Sequence, residues 1–308
     1  MDVTDSTAAT TILSGAKRAN RGSKRRSASI TVVIPTLNEA ANLPHVLPLI
    51  PDFVDEVVLV DGHSADSTVA TARAIRPDIR VVLQDRRGKG NALACGFAAA
   101  SGDIIVMLDA DGSTDPNEIP QFVAALLEGS DFAKGSRYAQ GGSSSDITRL
   151  RSAGNKALAL AVNVLFRTRY TDLCYGYNAF WRHCLPYMNV TCDGFEVETL
   201  IHVRIARAGL TVTEVGSVEH ARLHGESKLN TMRDGFRVLS TIVRERIRDQ
   251  REDRQIDGWR PAFRELAQGE GMSVAFSRAD GGMRHEAHPH GAAGALSELS
   301  PSVGAARP

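Results

Sequence analysis

The 308-residue sequence predicts an α/β fold, a mostly parallel sheet flanked by helices. Three observations carry that expectation. Short apolar runs rich in Val and Ile recur roughly every 25 residues through the first half of the chain. Helix-forming stretches separate them. Each apolar run also ends in polar or glycine-containing punctuation. Alternation at that interval is the signature of βαβ units. Because such crossovers are right-handed, the strand ends collect along one edge of the sheet.

Order begins at Ile30-Thr31-Val32-Val33-Ile34-Pro35, a β-branched strand closed by proline. Asn38 and Glu39 open a helix to about residue 50, with Asn38 as its cap. The second strand is Glu56-Val57-Val58-Leu59-Val60-Asp61, followed by a helix over 65–75 and a third strand over 79–83. The loop Arg86-Arg87-Gly88-Lys89-Gly90 leads into a small-residue helix ending near residue 100. Ile104-Ile105-Val106-Met107-Leu108 then forms a buried strand, since it is too short for most helices. A helix over 116–127 and a strand over 131–135 complete the series.

Beyond Gln140 the texture changes. Residues 141–145 read as a flexible loop, 147–167 as a long helix, and 171–180 as an irregular or strand segment rich in Tyr and Gly. An amphipathic helix over 195–208 is ended by Gly209, and a strand over 210–218 precedes the basic loop 222–228. The helix over 231–248 gathers Met232, Phe236, Leu239, Val243 and Ile247 on one face. That face is expected to pack on the domain; the alternative is a seat in a membrane interface. Residues 1–29 read as a disordered tail whose basic cluster, Lys17 to Arg26, is either solvated or rests on anionic lipid at about 1 kcal/mol per charge. Residues 251–308 read as a largely disordered tail, and His285, His288 and His290 within it as disordered and not metal-binding. One domain is thus expected over 30–250.

Apolar content of 43% and charged content of 23% are those of a globular protein with a real core. Equal numbers of acidic and basic residues leave no global field to attract nucleic acid. Cys95, Cys174, Cys184 and Cys192 show no C-x-x-C spacing, which argues against zinc and for a reduced, cytoplasmic setting. No secretory signal is visible. The longest apolar stretch, 157–166, is broken by Asn163 and falls short of the ~20 residues a membrane span needs.

Asp109 and Asp111, one residue apart at the end of a strand, point the same way if the segment is extended. Two hard oxygen ligands at a strand's carboxyl end suit magnesium or manganese together with substrate phosphates. Asp-Gly followed by Ser-Thr-Asp-Pro is equally ordinary turn chemistry. Lys89 lies between glycines where a backbone can approach a ligand closely, or in a plain turn. Arg137, Arg222 and Lys228 are candidates for phosphate contacts, a planar guanidinium matching phosphate geometry, or are surface charges. No third glycine makes Gly88-x-Gly90 a dinucleotide motif, and no G-x-x-x-x-G-K-[ST] loop is present.

Six segments in this order resemble family 2 glycosyltransferases of the GT-A, Rossmann-like fold. They are Pro35-Thr36-Leu37-Asn38-Glu39, Val60-Asp61-Gly62, Gly88-Lys89-Gly90-Asn91-Ala92, Asp109-Ala110-Asp111, Gly135-Ser136-Arg137-Tyr138 and Gly225-Glu226-Ser227-Lys228. With Thr171-Asp172 and Gly176-Tyr177, they are most similar to the dolichol-phosphate mannosyltransferase and dolichyl-phosphate glucosyltransferase branch. The resemblance spans about 29–228, with a nucleotide-sugar half (30–140) and an acceptor half with the amphipathic helix (141–250). It implies an inverting, metal-dependent hexosyltransferase. Pro35, Leu37, Asn38, Glu39, Asp61, Lys89 and Ala110 would line the donor pocket, with Asp61 at the base or ribose. Asp109 and Asp111 would hold a magnesium or manganese ion on the diphosphate, and Arg137, Asp172, Arg222 and Lys228 would face the acceptor. The donor is expected to be GDP-mannose or UDP-glucose in type and the acceptor a polyprenyl-phosphate lipid, reached by peripheral contact at the inner face of the cell membrane. A hydroxyl acceptor is the alternative, for which Glu198 or Glu196 would be the base; a nucleotide-sugar binder without turnover is the other. Where that branch has Ser-Gly-Phe, this chain has Cys174-Tyr175-Gly176-Tyr177, so its acceptor pocket differs. The Q-x-x-R-W of processive synthases is absent, which argues against a polymerase, and the glycine-rich first loop of nucleotidyltransferases is missing.

Overall fold

The β-branched runs become strands because both of their faces can be covered. The computed structural model of the protein describes residues 27–226 and 229–248. The chain opens with β1 (Ile30–Thr36), α1 (Leu43–Val46), β2 (Glu56–Asp61), α2 (Thr68–Ile75), β3 (Arg80–Leu83) and α3 (Lys89–Ala99). It continues through β4 (Ile104–Met107), α4 (Ile119–Leu127), β5 (Phe132–Ser136), the short β6 (Ser143–Ser144) and α5 (Arg149–Phe166). Last come β7 (Asn178–Trp181), α6 (Leu185–Met188), α7 (Val197–Arg207), β8 (Val212–Gly216), β9 (Val218–Glu219) and α8 (Thr231–Ile247). The tail residues 1–26, Lys228 and the His285/His288/His290 cluster lie outside the described residues.

The seven-stranded sheet has the order β3-β2-β1-β4-β7-β5-β8. All neighbours are parallel except β7, which runs antiparallel to both β4 and β5. Alternation sorts the strand residues into two layers. Val32, Ile34, Leu59 and Val106 face α1 and α4, while Val33, Val58, Ile105 and Met107 face α3, α6 and α7. A strand buried on both sides has no polar face, which is why these runs read as continuously apolar. Each such side chain stabilises the fold by roughly 1.5–3 kcal/mol. A third cluster joins Ala159 and Val162 of α5 to Val203 of α7 and Val238 and Ile242 of α8.

Several expectations change. Ala28 is already in the core and Ser29 donates to Asp103 Oδ2 through its amide (3.0 Å) and hydroxyl (2.9 Å), so order begins before residue 30. Asn38 does not cap α1. It sits in the left-handed region at φ 59°, and its Oδ1 accepts from the Ala65 amide at 2.7 Å, tying the loop after β1 to the loop after β2. The segment 171–180 contributes a central strand. Helix α7 is buried nearly all round and not amphipathic, because its polar residues find partners inside: His202 between Leu173 O and Asn178 Oδ1, and Arg204 on Glu245 at 2.8 Å.

The largest departure is α8. Its buried residues are Asp234, Val238, Thr241, Ile242 and Glu245, while Phe236 and Ile247 on the opposite face are 67% and 77% exposed. The expected packing is reversed because two polar anchors fix the helix. Asn230 and Asp234 cap its start reciprocally, at 3.0 and 2.7 Å. Glu245 near its end receives Arg204 and Arg207 from α7.

Close packing of α3 on the sheet depends on Gly96, where a Cβ would come within 2.3 Å of Val33 Cγ1 and 2.9 Å of Val60 Cγ2. Gly96→Ala is therefore expected to lose about 1–3 kcal/mol by overpacking, more than the helix-propensity gain of up to about 1 kcal/mol. Urea denaturation of the variant beside the parent checks this; a gain in stability would contradict the packing.

Candidate active site

Parallel β1, β2, β4 and β5 deliver their carboxyl ends to one edge, and antiparallel β7 starts from it. There a cleft of about 1100 Å³ is lined by Pro35, Leu37, Glu39, Lys89, Asp109, Ala110, Asp111, Arg137, Glu198 and Arg222. Ten of the residues singled out in the sequence therefore share one cleft. Asn38, Asp61 and Asp172 are not in it. Asp61 is buried; one oxygen accepts from the Ser64 amide at 3.1 Å, and the other has no hydrogen-bond partner.

A chain of opposite charges crosses the cleft floor. Lys89, the first residue of α3, places Nζ 2.7 Å from Asp109 Oδ1 and 2.8 Å from Glu198 Oε1. Burial alone would pull the ammonium down; the two carboxylates outweigh it and hold Lys89 above its ordinary range. Gly176 runs beside this group, and a Cβ there would lie 2.8 Å from Asp109 Oδ2 and 2.9 Å from Lys89 Nζ. A side chain at this position would push the Lys89 and Asp109 groups from their present places.

Across the cleft, Arg222 sets one nitrogen 2.7 Å from Asp111 Oδ2 and another 3.3 Å from Glu39 Oε1. Burial raises the Glu39 carboxyl, against the opposing bonds from Asn42 and Arg222. The loop that carries Arg222 is seated by Leu223, whose amide donates to Asp111 O at 3.2 Å and whose side chain lies over Gly112.

Asp109 and Asp111 offer the hard oxygens that magnesium and manganese prefer, and each already draws a cation to itself. Among the described residues no group of three His, Cys, Asp or Glu could hold a metal. A divalent ion here would therefore share its coordination with the oxygens of a bound diphosphate, which is how magnesium is usually held.

Arg137 reaches the cleft, but its donors are taken. Its guanidinium binds Asp172 at 2.7 and 2.9 Å and Glu219 at 3.2 Å, and lies 5.0 Å from the Tyr175 ring centroid. Asp172 is fully buried; burial alone would raise its pKa, and the bonds from Arg137 hold it below the usual carboxylate range. Asn155 of α5 donates to the same carboxylate at 2.9 Å and accepts from the Leu173 and Cys174 amides at 3.1 and 3.0 Å. Arg137 and Asp172, both expected to face the acceptor, are here paired with each other in a clasp beside the cleft. Burial pushes the Cys174 thiol up to about 12, so it stays protonated.

The cleft has a second arm between α5 and α8. Leu150, Leu158 and Val238 make it apolar, while Arg151, Arg233, Arg237 and Arg244 outnumber Asp146 and Asp234, which pair loosely with the first three at 3.5–3.6 Å. These residues escaped the sequence reading because α5 and α8 meet only in the folded chain. The one signal was the excess of arginine over 231–248.

Comparison with known proteins bears on the family and the fold. The family model described as glycosyl transferase family 2 matches residues 31–185. Glycosyltransferase AglJ of Haloferax volcanii is 31% identical over 70% of this chain and 71% of its own. A dolichol-phosphate mannosyltransferase of Pyrococcus furiosus is 30% identical over 65% of this chain, which spans 59% of that protein. Glucosyl-3-phosphoglycerate synthase of Mycobacterium tuberculosis, solved with Mn2+, UDP and glucosyl-3-phosphoglycerate, superposes with a TM-score of 0.57 at 28% identity, covering 72% of this chain and 81% of its own. The same enzyme has been solved with Mg2+ and UDP. The fold is that of the GT-A enzymes.

Asp109→Asn and Asp111→Asn are each expected to weaken manganese binding in the presence of UDP or GDP by at least about tenfold. Titration calorimetry checks this, and unchanged binding in both variants would remove the metal from this site.

Proposed function

The chain belongs to glycosyl transferase family 2, and from that premise we propose that it moves a hexose, with inversion, from a nucleotide sugar to a polyprenyl-phosphate-type lipid. The donor is of the GDP-mannose or UDP-glucose type. The observation that carries the acceptor is the second arm of the cleft, apolar along Leu150, Leu158 and Val238 and flanked by four arginines. An isoprenoid chain suits the apolar wall, and its phosphate suits guanidinium donors. A dolichol-phosphate mannosyltransferase among the relatives supports the same choice. Among the described residues no helix is long and apolar enough to cross a membrane. In this reading the enzyme meets its lipid by peripheral contact at the inner face of the membrane.

The nucleoside lies against Pro35, Leu37 and Glu39, with the unpartnered oxygen of Asp61 as an acceptor behind them. Asp109 and Asp111 would hold a magnesium or manganese ion together with the diphosphate oxygens, and the charge neutralisation it would supply there favours departure of the nucleoside diphosphate. Lys89 fixes Asp109 and Glu198 relative to each other and adds a positive charge beside the leaving group. Arg222, paired with Asp111 and Glu39, stands where it can turn to a phosphate oxygen. The acceptor phosphate is ionised near neutral pH and needs no base. Its oxygen forms the bond to the sugar's C1 while the bond from C1 to the diphosphate breaks, and the nucleoside diphosphate departs.

One observation favours a second reading. Glu198 is almost fully buried at the junction of the two arms and joined to Asp109 through Lys89, as a base for a hydroxyl acceptor would be. The structural neighbour that makes glucosyl-3-phosphoglycerate lends this reading weight. The two readings separate experimentally. Labelled GDP-mannose or UDP-glucose with detergent-dispersed polyprenyl phosphate and manganese is expected to give a lipid-linked sugar. Glu198→Gln is expected to retain that activity to within about tenfold, whereas a hydroxyl-directed enzyme would fall roughly a hundredfold or more. No lipid product with either donor, alongside transfer to a soluble hydroxyl, would overturn the lipid assignment.

A further inference from the structure

Helix α8 holds to the domain by a mixed face of polar anchors and two core aliphatics, and turns its longer apolar row outward. Asp234, Val238, Thr241, Ile242 and Glu245 are buried. Met232, Phe236, Leu239, Val243 and Ile247 recur at helical spacing on the opposite face and are 44–77% exposed. Helix α5, which packs on α8, adds Leu160 and Val164, at 64% and 70% exposure. An exposed apolar surface of this extent marks an interaction site.

Charge chooses the partner. Both acids of α8, Asp234 and Glu245, are buried, and its exposed charges are Arg233, Arg237, Arg244 and Arg246. Helix α5 carries Arg149, Arg151 and Lys156 and no acid. The whole chain has zero formal net charge, so this positive charge is local to one face. A second copy of the chain is a poor occupant, because a two-fold interface would set these arginines against themselves. An anionic bilayer complements both features, its headgroups taking the arginines and its acyl boundary the apolar row.

We propose that the outward face of α8, with the exposed stripe of α5, lies in the headgroup boundary of an anionic membrane. The inference rests on the lipid-phosphate reading for its purpose: the arm of the cleft between these two helices then opens at the lipid surface. An acceptor could keep its tail in the bilayer while its phosphate enters beside Arg233 and Arg237.

Flotation of the full chain with phosphatidylcholine vesicles, with and without about one-third phosphatidylglycerol, tests the face directly. The parent is expected to float with the anionic vesicles only, and less at high salt. Phe236 and Val243 do not line the cleft and point away from the domain. A Phe236→Asp/Val243→Asp variant should therefore keep its melting temperature and lose vesicle binding by at least about tenfold. Its activity on detergent-dispersed polyprenyl phosphate should stay within about twofold of the parent, while activity on the same lipid in vesicles collapses. Equal flotation of variant and parent, or no flotation of the parent, overturns the proposal. So does a parent dimer that the variant converts to monomer in light scattering, which would make the face a self-interface. Vesicle binding lost in the variant, with no lipid-linked sugar formed by either protein in detergent, upholds the docking face and rejects the lipid acceptor.

Discussion

A buried ammonium between two carboxylates is the contact on which this site depends. Lys89 begins α3, Asp109 follows β4, and Glu198 lies in the first turn of α7, so one side chain joins three elements from distant parts of the chain. Taking three charges from water is costly, and only close mutual pairing offsets it. The backbone must therefore come unusually near. Gly90 donates its amide to Asp193 O at 3.0 Å, and a Cβ there would meet Cys192 O at closer than contact distance. Gly176 makes the same concession on the other side of the lysine. The glycines that looked like loop punctuation are the spaces into which this cluster fits.

The two halves of the molecule solve different problems. At the sheet edge, residues are fixed by strands and by short loops bonded to one another, as in the Asn38–Ala65 and Ser64–Asp61 contacts. The opposite side of the cleft is assembled from α5, α7 and α8, with Arg137 paired to Asp172 and Arg204 to Glu245. Buried ion pairs of this kind add little net stability but penalise any other arrangement.

What the sequence disclosed follows the range of the forces involved. Strands β1, β2 and β4 were legible because burial on both faces leaves a continuous β-branched run. Asp109 and Asp111 were legible because their position at a strand end is local information. The place of β7 was not: 171–180 read as irregular or strand, and nothing local says that Asn178-Ala179-Phe180-Trp181 enters the sheet centre reversed. Arg137 looked free for a phosphate because its partners Asp172 and Glu219 lie 35 and 82 residues away. The amphipathic reading of α7 failed for the same reason, since His202 and Arg204 are satisfied by groups on other elements. Helix α8 had the right apolar periodicity, but periodicity cannot say which side of a helix meets the domain.

The placement of β7 has a bearing on how this protein comes into being. Strand β5 touches the first four strands only through β7, which is made some forty residues later. As the chain leaves the ribosome, residues up to 136 can align β1 to β4 but leave β5 without its inner neighbour. The sheet begun by residues 30–136 cannot be completed before the segment beyond residue 140 has begun to fold. A gene fragment encoding residues 30–140 would lack the central rib of its own sheet. The two stretches are written one after the other in the chain, yet they are inherited as one indivisible piece of architecture.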